Sequence, residues 1–221
     1  LGDRILEVGC GTGRYSLYYA HKGYEVDAIE LVQENLDIMA KNTLPTDTVR
    51  AIQGNALDLS AYEDDTFDIT LVLGPMYHLF SVPEQLEALS EAIRVTKKGG
   101  VIFAAYCGNE ATMVQYCFGR GMLKEDRYRK LVDPVTFKAS SDPAELFQLY
   151  RKEDIDKLMS VFPVTRLHYV GSDMATNYMR QAIDDMDEEL FDLYLRYHFT
   201  ICERCDLVGA SHHILDIFRK D

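Results

Sequence analysis

Arg4-Ile5-Leu6-Glu7-Val8-Gly9-Cys10-Gly11-Thr12-Gly13-Arg14-Tyr15-Ser16-Leu17 carries the strongest structural signal in the chain. The apolar run Arg4 to Val8 predicts a short strand and the three glycines a tight turn. Arg14 to His21 predicts a helix, closed by Gly23 where a left-handed C-cap is needed. At such a junction, backbone N–H groups and the positive end of the helix dipole face whatever sits in the turn. Glycine there lets a ligand touch the backbone, although tight turns everywhere use glycine. The spacing narrows the choice. A dinucleotide-binding loop reads G-x-G-x-x-G, whereas here the third glycine comes one residue early and position 14 is Arg. A phosphate-cradling loop is excluded as well, because no G-K-S or G-K-T follows.

Downstream, Tyr24 to Glu30 reads as a second strand, Val32 to Lys41 as a helix with Leu36, Met39 and Ala40 on one face, and Val49 to Gln53 as a third strand. Phe67 to Leu73 is almost wholly apolar, as a strand covered on both faces should be. Ser81 and Glu84 have the spacing of a capping box ahead of a helix from Pro83 to Val95. Lys97-Lys98-Gly99-Gly100 then turns the chain into a fifth strand, Val101 to Tyr106. Strands alternating with helices predict an α/β fold, a parallel sheet with helices on both faces. From Gly108 to Tyr150 the strand pattern is lost, and aromatics, methionines and mixed charge predict an insert of short helices. Beyond it, Lys152 to Phe162 and Glu188 to Glu203 read as helices, Val164 to Val170 and His213 to Phe218 as strands. One domain over residues 1–221 is expected, with 108–150 as an insert within it.

With 221 residues, 47% hydrophobic and 27% charged, the chain is long and apolar enough to bury a full core. A net charge of -13 repels phosphate backbones and anionic lipid, so neither nucleic acid nor a membrane is expected as a partner. No apolar run approaches the roughly 18 to 20 residues of a membrane helix and no signal pattern opens the chain, which predicts a soluble, cytoplasmic protein. The five cysteines, at 10, 107, 117, 202 and 205, are odd in number and scattered, and are expected to be reduced. Cys202-x-x-Cys205 has no second pair and His212-His213 no third ligand, so no metal site is expected. The chain opens at Leu1 without Met, three residues ahead of the first strand, so an upstream segment is expected to be missing.

Glu30 ends the second strand, where an acid can accept hydrogen bonds from both hydroxyls of a ribose; the plain alternative is an exposed strand-end carboxylate. Glu7 lies among apolar residues and needs a donor or cation, from a ligand amine or from nearby backbone N–H groups. Asn55-Ala56 after the third strand presents an amide to an adenine edge, or is an Asn in a turn. Glu7 to Gly13, Glu30, Gly54-Asn55-Ala56-Leu57-Asp58-Leu59, Phe67-Asp68 and Lys97 to Gly100, in that order, resemble the motifs of class I S-adenosylmethionine-dependent methyltransferases over Asp3 to Tyr106.

The resemblance implies a Rossmann-like seven-stranded sheet of order 3-2-1-4-5-7-6 with strand seven antiparallel. It implies S-adenosylmethionine as cofactor, S-adenosylhomocysteine as product, and a cofactor site made by Glu7, Gly9, Cys10, Gly11, Thr12, Gly13, Glu30, Leu31, Asn55, Ala56, Leu57, Leu73 and Gly74. Gly9, Gly11 and Gly13 pack against the methionine and ribose portions, Glu30 takes the ribose hydroxyls, and Asn55 and Ala56 meet adenine. Where the family often has Asp, this chain has Asn55; both accept from an adenine amino group.

Strand four runs into Leu73-Gly74-Pro75-Met76-Tyr77-His78-Leu79, at the end of the sheet where ligands bind. It resembles a G-P-x-Y-H-L element of small-molecule methyltransferases, while the N-P-P-Y motif of amino-group methyltransferases shares only Pro75 and Tyr77. His78 is the candidate proton acceptor, or packs at the strand end; Tyr77 lines the methyl site, or is a packing aromatic. Tyr116, Phe118, Tyr128, Phe137, Phe147, Tyr150, Met113 and Met122 form either an apolar acceptor pocket or the insert's own core. The expected activity is methyl transfer to a small molecule, with residues 108–150 as lid or acceptor-specificity region. The alternatives are an RNA or protein methyltransferase, or a non-catalytic module that binds S-adenosylmethionine.

Overall fold

The computed structural model describes residues 4–145 and 147–221. Strand β1 (Arg4–Val8), helix α1 (Arg14–His21), β2 (Glu25–Glu30), α2 (Gln33–Asn42), β3 (Val49–Gln53), β4 (Phe67–Val72), α3 (Val82–Val95) and β5 (Thr96–Gly108) follow the predicted alternation, with a 3-10 turn at Pro75–His78. Short α4 (Asn109–Thr112), a π turn (Met113–Phe118) and α5 (Asp126–Arg129) lead to β6 (Leu149–Tyr150). Then come α6 (Lys152–Met159), β7 (Val164–Gly171), α7 (Arg180–Asp184), α8 (Glu188–Ile201) and β8 (His213–Lys220).

The sheet runs β3-β2-β1-β4-β5-β8-β7, with β6 attached to β5. This is the expected order once β6 is set aside. Among the described residues the sheet therefore has eight strands rather than the seven expected, because Leu149 and Tyr150 pair in parallel with Cys107 and Gly108. Two residues carry no readable periodicity, so only backbone pairing across the fold makes them a strand.

Local chemistry explains the elements. In β1, Ile5, Leu6 and Val8 are buried, as both faces of a central parallel strand require. Ser81 and Glu84 form the predicted capping box, and α3 buries Ala88, Leu89, Ala92 and Ile93 at helical spacing. The predicted turn at Lys97–Gly100 is instead a bulge inside a longer β5. Phe67 faces Thr96 but Ile69 faces Val101, so residues 97–100 loop out of the ladder between them. Buried Thr96 holds the near side through a 2.7 Å hydroxyl contact with Thr70, and Gly99 takes a φ of 76°.

The chain divides into two compact units. One comprises the chain up to Ala105 with Leu158–Leu167 and Ile217–Asp221; the other comprises Tyr106–Lys157 and His168–Asp216. In the first, Ile5, Ala20, Val26, Ile69 and Leu71 form one buried cluster, and Cys10, Leu17, Ala28, Leu36 and Met39 another. The second contains residues 108–150 and has its own interior, where Tyr106 and Tyr150 pack edge to face at 4.9 Å. Buried Asn109 accepts from Ala139 N at 2.9 Å and donates to the Phe137 carbonyl at 3.1 Å, tying that segment to α4. No helix of the described residues is long and apolar enough to cross a membrane.

Candidate functional site

Four parallel strands of the first unit end at one edge of the sheet. The pairs Val8–Ile29, Val8–Val72 and Glu30–Gln53 bring Gly9, Leu31, Gly54 and Leu73 side by side just beyond it. From β1 the chain steps outward to β3, then crosses back to place β4 on the other side of β1. Ligand crevices of open parallel sheets lie at such a reversal, outside the carboxyl ends of the strands.

Gly9, Gly11 and Gly13 all take positive φ, 75°, 55° and 83°. Gly9 N and Cys10 N both donate to the Ile29 carbonyl, at 2.7 and 3.0 Å, which bends the chain sharply off β1. The three glycines differ in what they face. A Cβ on Gly9 would lie 2.8 Å from Pro75 Cδ and one on Gly13 2.5 Å from Met39 Cγ, whereas one on Gly11 would meet nothing within 4 Å. Gly9 and Gly13 thus let the loop pack on the protein, and Gly11 presents bare backbone outward. Cys10 is buried beside Met39, and burial, then Glu7 and Glu30, pushes its thiol up to about 12. It is a small core group rather than a nucleophile. Thr12 is exposed on the loop.

Glu30 is buried and accepts three hydrogen bonds. Oε2 takes Gly11 N at 2.8 Å; Oε1 takes Val32 N at 3.0 Å and Asn35 Nδ2 at 3.2 Å. A carboxylate has about four acceptor positions. In this arrangement Glu30 braces the glycine loop with three of those positions.

Glu7 meets its donors in the backbone, the second of the two sources considered. Its Oε2 accepts from Ser16 N at 2.8 Å and from the Ser16 hydroxyl, so a strand residue caps α1, which lacks a side-chain cap of its own. Burial raises the Glu7 carboxyl to about 7; the bonds from Ser16 pull the other way and Glu30 adds to the rise. Because the folded state holds this proton more tightly than the unfolded chain, its contribution is present below pH 4.5 and is lost as pH rises through about 7. Glu7→Gln is expected to remove this dependence. In denaturant titrations at several pH values, the wild type should lose up to about 1.4 kcal/mol per pH unit across that window relative to the variant. Parallel stability curves for the two proteins would refute the neutral buried acid.

Asn55 is exposed and its Oδ1 accepts from Leu57 N at 3.1 Å, an Asx turn that sets the chain direction after β3. Ala56 and Leu57 are half-buried, and Leu31 is exposed beside Glu30. A Cβ on Gly74 would come within 3.2 Å of the Gly9 carbonyl, so the loops after β1 and β4 touch. Tyr77 donates its hydroxyl to the Leu73 carbonyl at 2.6 Å and so closes the Gly74-Pro75-Met76 turn. His78 is exposed, 5.1 Å from the Tyr77 ring between centroids, rather than packed into a strand end.

In the second unit the aromatic set divides. Tyr150 and Met113 belong to its core, Phe118 and Phe137 are exposed and pair at 6.2 Å, and Arg127 covers Tyr128. Tyr116, Met122 and Phe147 instead line a cavity of about 470 Å³ together with His212 and His213. His213 Nδ1 lies 2.8 Å from Asp173 Oδ2. His212-His213 lack a third metal ligand in the sequence, and no spacing there links His213 to Asp173, forty residues away. Among the described residues, no group of three or more His, Cys, Asp or Glu stands together as a metal ligand set.

Residues 5–100 match the methyltransferase domain family. Two curated relatives are demethylmenaquinone methyltransferases. That of Lysinibacillus sphaericus (strain C3-41) is 34% identical over 46% of this chain and 43% of the relative. That of Clavibacter sepedonicus is 31% identical over 70% of this chain and 58% of the relative. The chain thus spans about half the length of these relatives. A solved S-adenosylmethionine-dependent methyltransferase from Methanosarcina mazei shares the fold with a TM-score of 0.65 at 17% identity, covering 100% of this chain and 94% of that one. The segment that matches the family contains every element of the crevice described above.

Proposed function

We propose that the chain, whose residues 5–100 form a methyltransferase domain, transfers a methyl group from S-adenosylmethionine to a small-molecule acceptor. The observation that carries the reading is the crevice at the strand reversal: bare backbone at Gly11, held by the buried acid Glu30, with a second buried acid, Glu7, on the strand that leads into the loop. A cation-bearing adenosine compound suits that chemistry, since Glu30 has an acceptor position left for a hydroxyl and Glu7 becomes a carboxylate when positive charge approaches. When bound, S-adenosylmethionine supplies an electrophilic methyl carbon on a positively charged sulfur.

The protein's own part is to hold, orient and exclude water, because in-line displacement needs alignment more than machinery. Gly9, Gly11 and Gly13, with Cys10 and Thr12, form the loop under the methionine and ribose. Leu31, Asn55, Ala56 and Leu57 make the adenine side, and Leu73 and Gly74 the floor toward the methyl. Tyr77 holds the Gly74–Met76 turn and borders the acceptor, and His78 takes the acceptor's proton. That two relatives are named for a demethylated quinone favours a small acceptor over RNA or protein.

Calorimetry with S-adenosylmethionine and S-adenosylhomocysteine tests the cofactor. A metabolite extract with methyl-labelled cofactor tests transfer; tight binding with no labelled product would favour a non-catalytic binding module. His78→Gln is expected to lower kcat, since an amide cannot accept the acceptor's proton. Cofactor affinity should stay within about twofold, because a base acts on the acceptor. Full turnover in the folded variant would leave proximity and desolvation as the sources of rate.

A further inference from the structure

Helix α8 is held at its two ends and along one face. Asp187 caps it, accepting from Leu190 N at 2.9 Å, and beyond its last turn the Cys202 carbonyl accepts from Gly171 N at 2.8 Å. Tyr194, Leu195, His198 and Ile201 are half-buried on the inward side, where the Tyr194 and Thr176 hydroxyls meet at 2.6 Å. Among the described residues, none of the helix is fully buried. Leu190, Leu193 and Tyr197 are 50%, 48% and 58% exposed. Their spacing of three and four residues sets them in one stripe beside the inward face. Single exposed apolar residues need no explanation, whereas a contiguous stripe marks a surface that something covers.

The charges beside the stripe indicate what covers it. In the seven-residue repeat that puts Leu190 and Tyr197 at position a and Leu193 at d, Glu189 and Arg196 both fall at g, on one flank. Both are exposed, and the contact that Arg196 Nε makes with Asp192 Oδ2, at 3.3 Å, lies in solvent. Opposite charges on one flank, a repeat apart, complement a second copy of the same helix when that copy runs the other way. A two-fold axis at Leu193 sets Leu193 on its own counterpart, Leu190 on Tyr197 of the second copy, and Glu189 on Arg196 of the second copy. A parallel pair would bring Glu189 to Tyr194 instead. It would also stack the acid runs Asp184, Asp185, Asp187 and Glu188 of two chains that each carry a net charge of -13. The antiparallel arrangement places those runs at opposite ends.

We propose that α8 is the surface by which two copies of this chain associate, antiparallel across a two-fold axis at Leu193, with Glu189 of each copy paired to Arg196 of the other. The pairing is isologous, so every contact occurs twice. One helix of 14 residues from each copy is at the low end of specific interfaces, so the dimer forms in a concentration-dependent way. The surface lies within the second unit and is independent of the glycine-loop crevice and of the methyl-transfer reading.

Sedimentation equilibrium of the full chain over a range of concentrations tests it, with far-UV circular dichroism reporting the fold of each variant. Wild type should pass from monomer to dimer as concentration rises. Glu189→Arg faces Arg196 with a like charge and Arg196→Glu does the same to Glu189, so either should weaken the dimer by at least about tenfold. The double variant restores opposite charges and should return to within about threefold of wild type, a reversal that merely weakened helices do not produce. Leu193→Lys sets two charges face to face at the axis and should abolish the dimer. Phe199→Ser removes a ring that is 72% exposed but lies about 200° around the helix from Tyr197, and should leave the dimer within about twofold of wild type. If the Leu193 variant does not fold, the charge-reversal series decides alone. A wild type that stays monomeric at every concentration would overturn the proposal, as would single reversals without effect or a double variant no better than the singles.

Discussion

Glu30→Ala is expected to weaken S-adenosylmethionine about a hundredfold or more. The side chain accepts from Gly11 N, Val32 N and Asn35 Nδ2, so its loss removes the brace of the glycine loop and, on the proposed reading, the acceptor for a ribose hydroxyl. Hydrogen bonds to a charged group contribute about 1.5 to 3 kcal/mol each, and about 1.4 kcal/mol is tenfold in affinity. Losing one direct contact and the order of the loop together accounts for two powers of ten. The two components separate by ligand. Wild type should bind a 2'- or a 3'-deoxy analogue more weakly than the normal cofactor, whereas Glu30→Ala should bind all three alike. If wild type binds both deoxy analogues as tightly as the cofactor, Glu30 acts as a brace alone.

Gly9→Ala is expected to destabilise the protein by about 2 to 5 kcal/mol. A left-handed backbone costs an L-residue about 1 to 2 kcal/mol, and overpacking a filled site adds about 1 to 3. Both apply at Gly9, whose φ is 75° and whose added Cβ would press within 2.8 Å of Pro75 Cδ, an atom of a rigid ring. Gly11→Ala shares the positive φ but meets no neighbour, so it should lose only about 1 to 2 kcal/mol of stability. Its larger defect should be in cofactor binding, because its methyl would occupy the open side of the loop. Denaturant titration and calorimetry on the two variants check this reversal. Equal stability losses would refute the assignment of Gly9 to internal packing and Gly11 to the ligand side.

The strand, loop and helix from Arg4 to His21 were legible in the sequence because their signals are local. Apolar runs specify strands covered on both faces, Gly9, Gly11 and Gly13 specify positive φ, and the Ser81–Glu84 spacing specifies a helix start. Helices alternating with strands specify a parallel sheet, whereas its order was expected from the resemblance to class I methyltransferases and not from the pattern. What each side chain meets was not legible. Whether Glu7 finds Ser16 or a ligand, how many of Glu30's acceptor positions are taken, and which of the three glycines faces outward depend on neighbours brought in from α1, α2 and the turn after β4. Likewise β6 exists only because Leu149 and Tyr150 find Cys107 and Gly108, and the His213 imidazole is pushed up to about 10 chiefly because Asp173 comes to it from forty residues away. Periodicity and turn chemistry act over a few residues, whereas hydrogen-bond partners, burial and charge are properties of the folded neighbourhood, and the tertiary structure alone decides them.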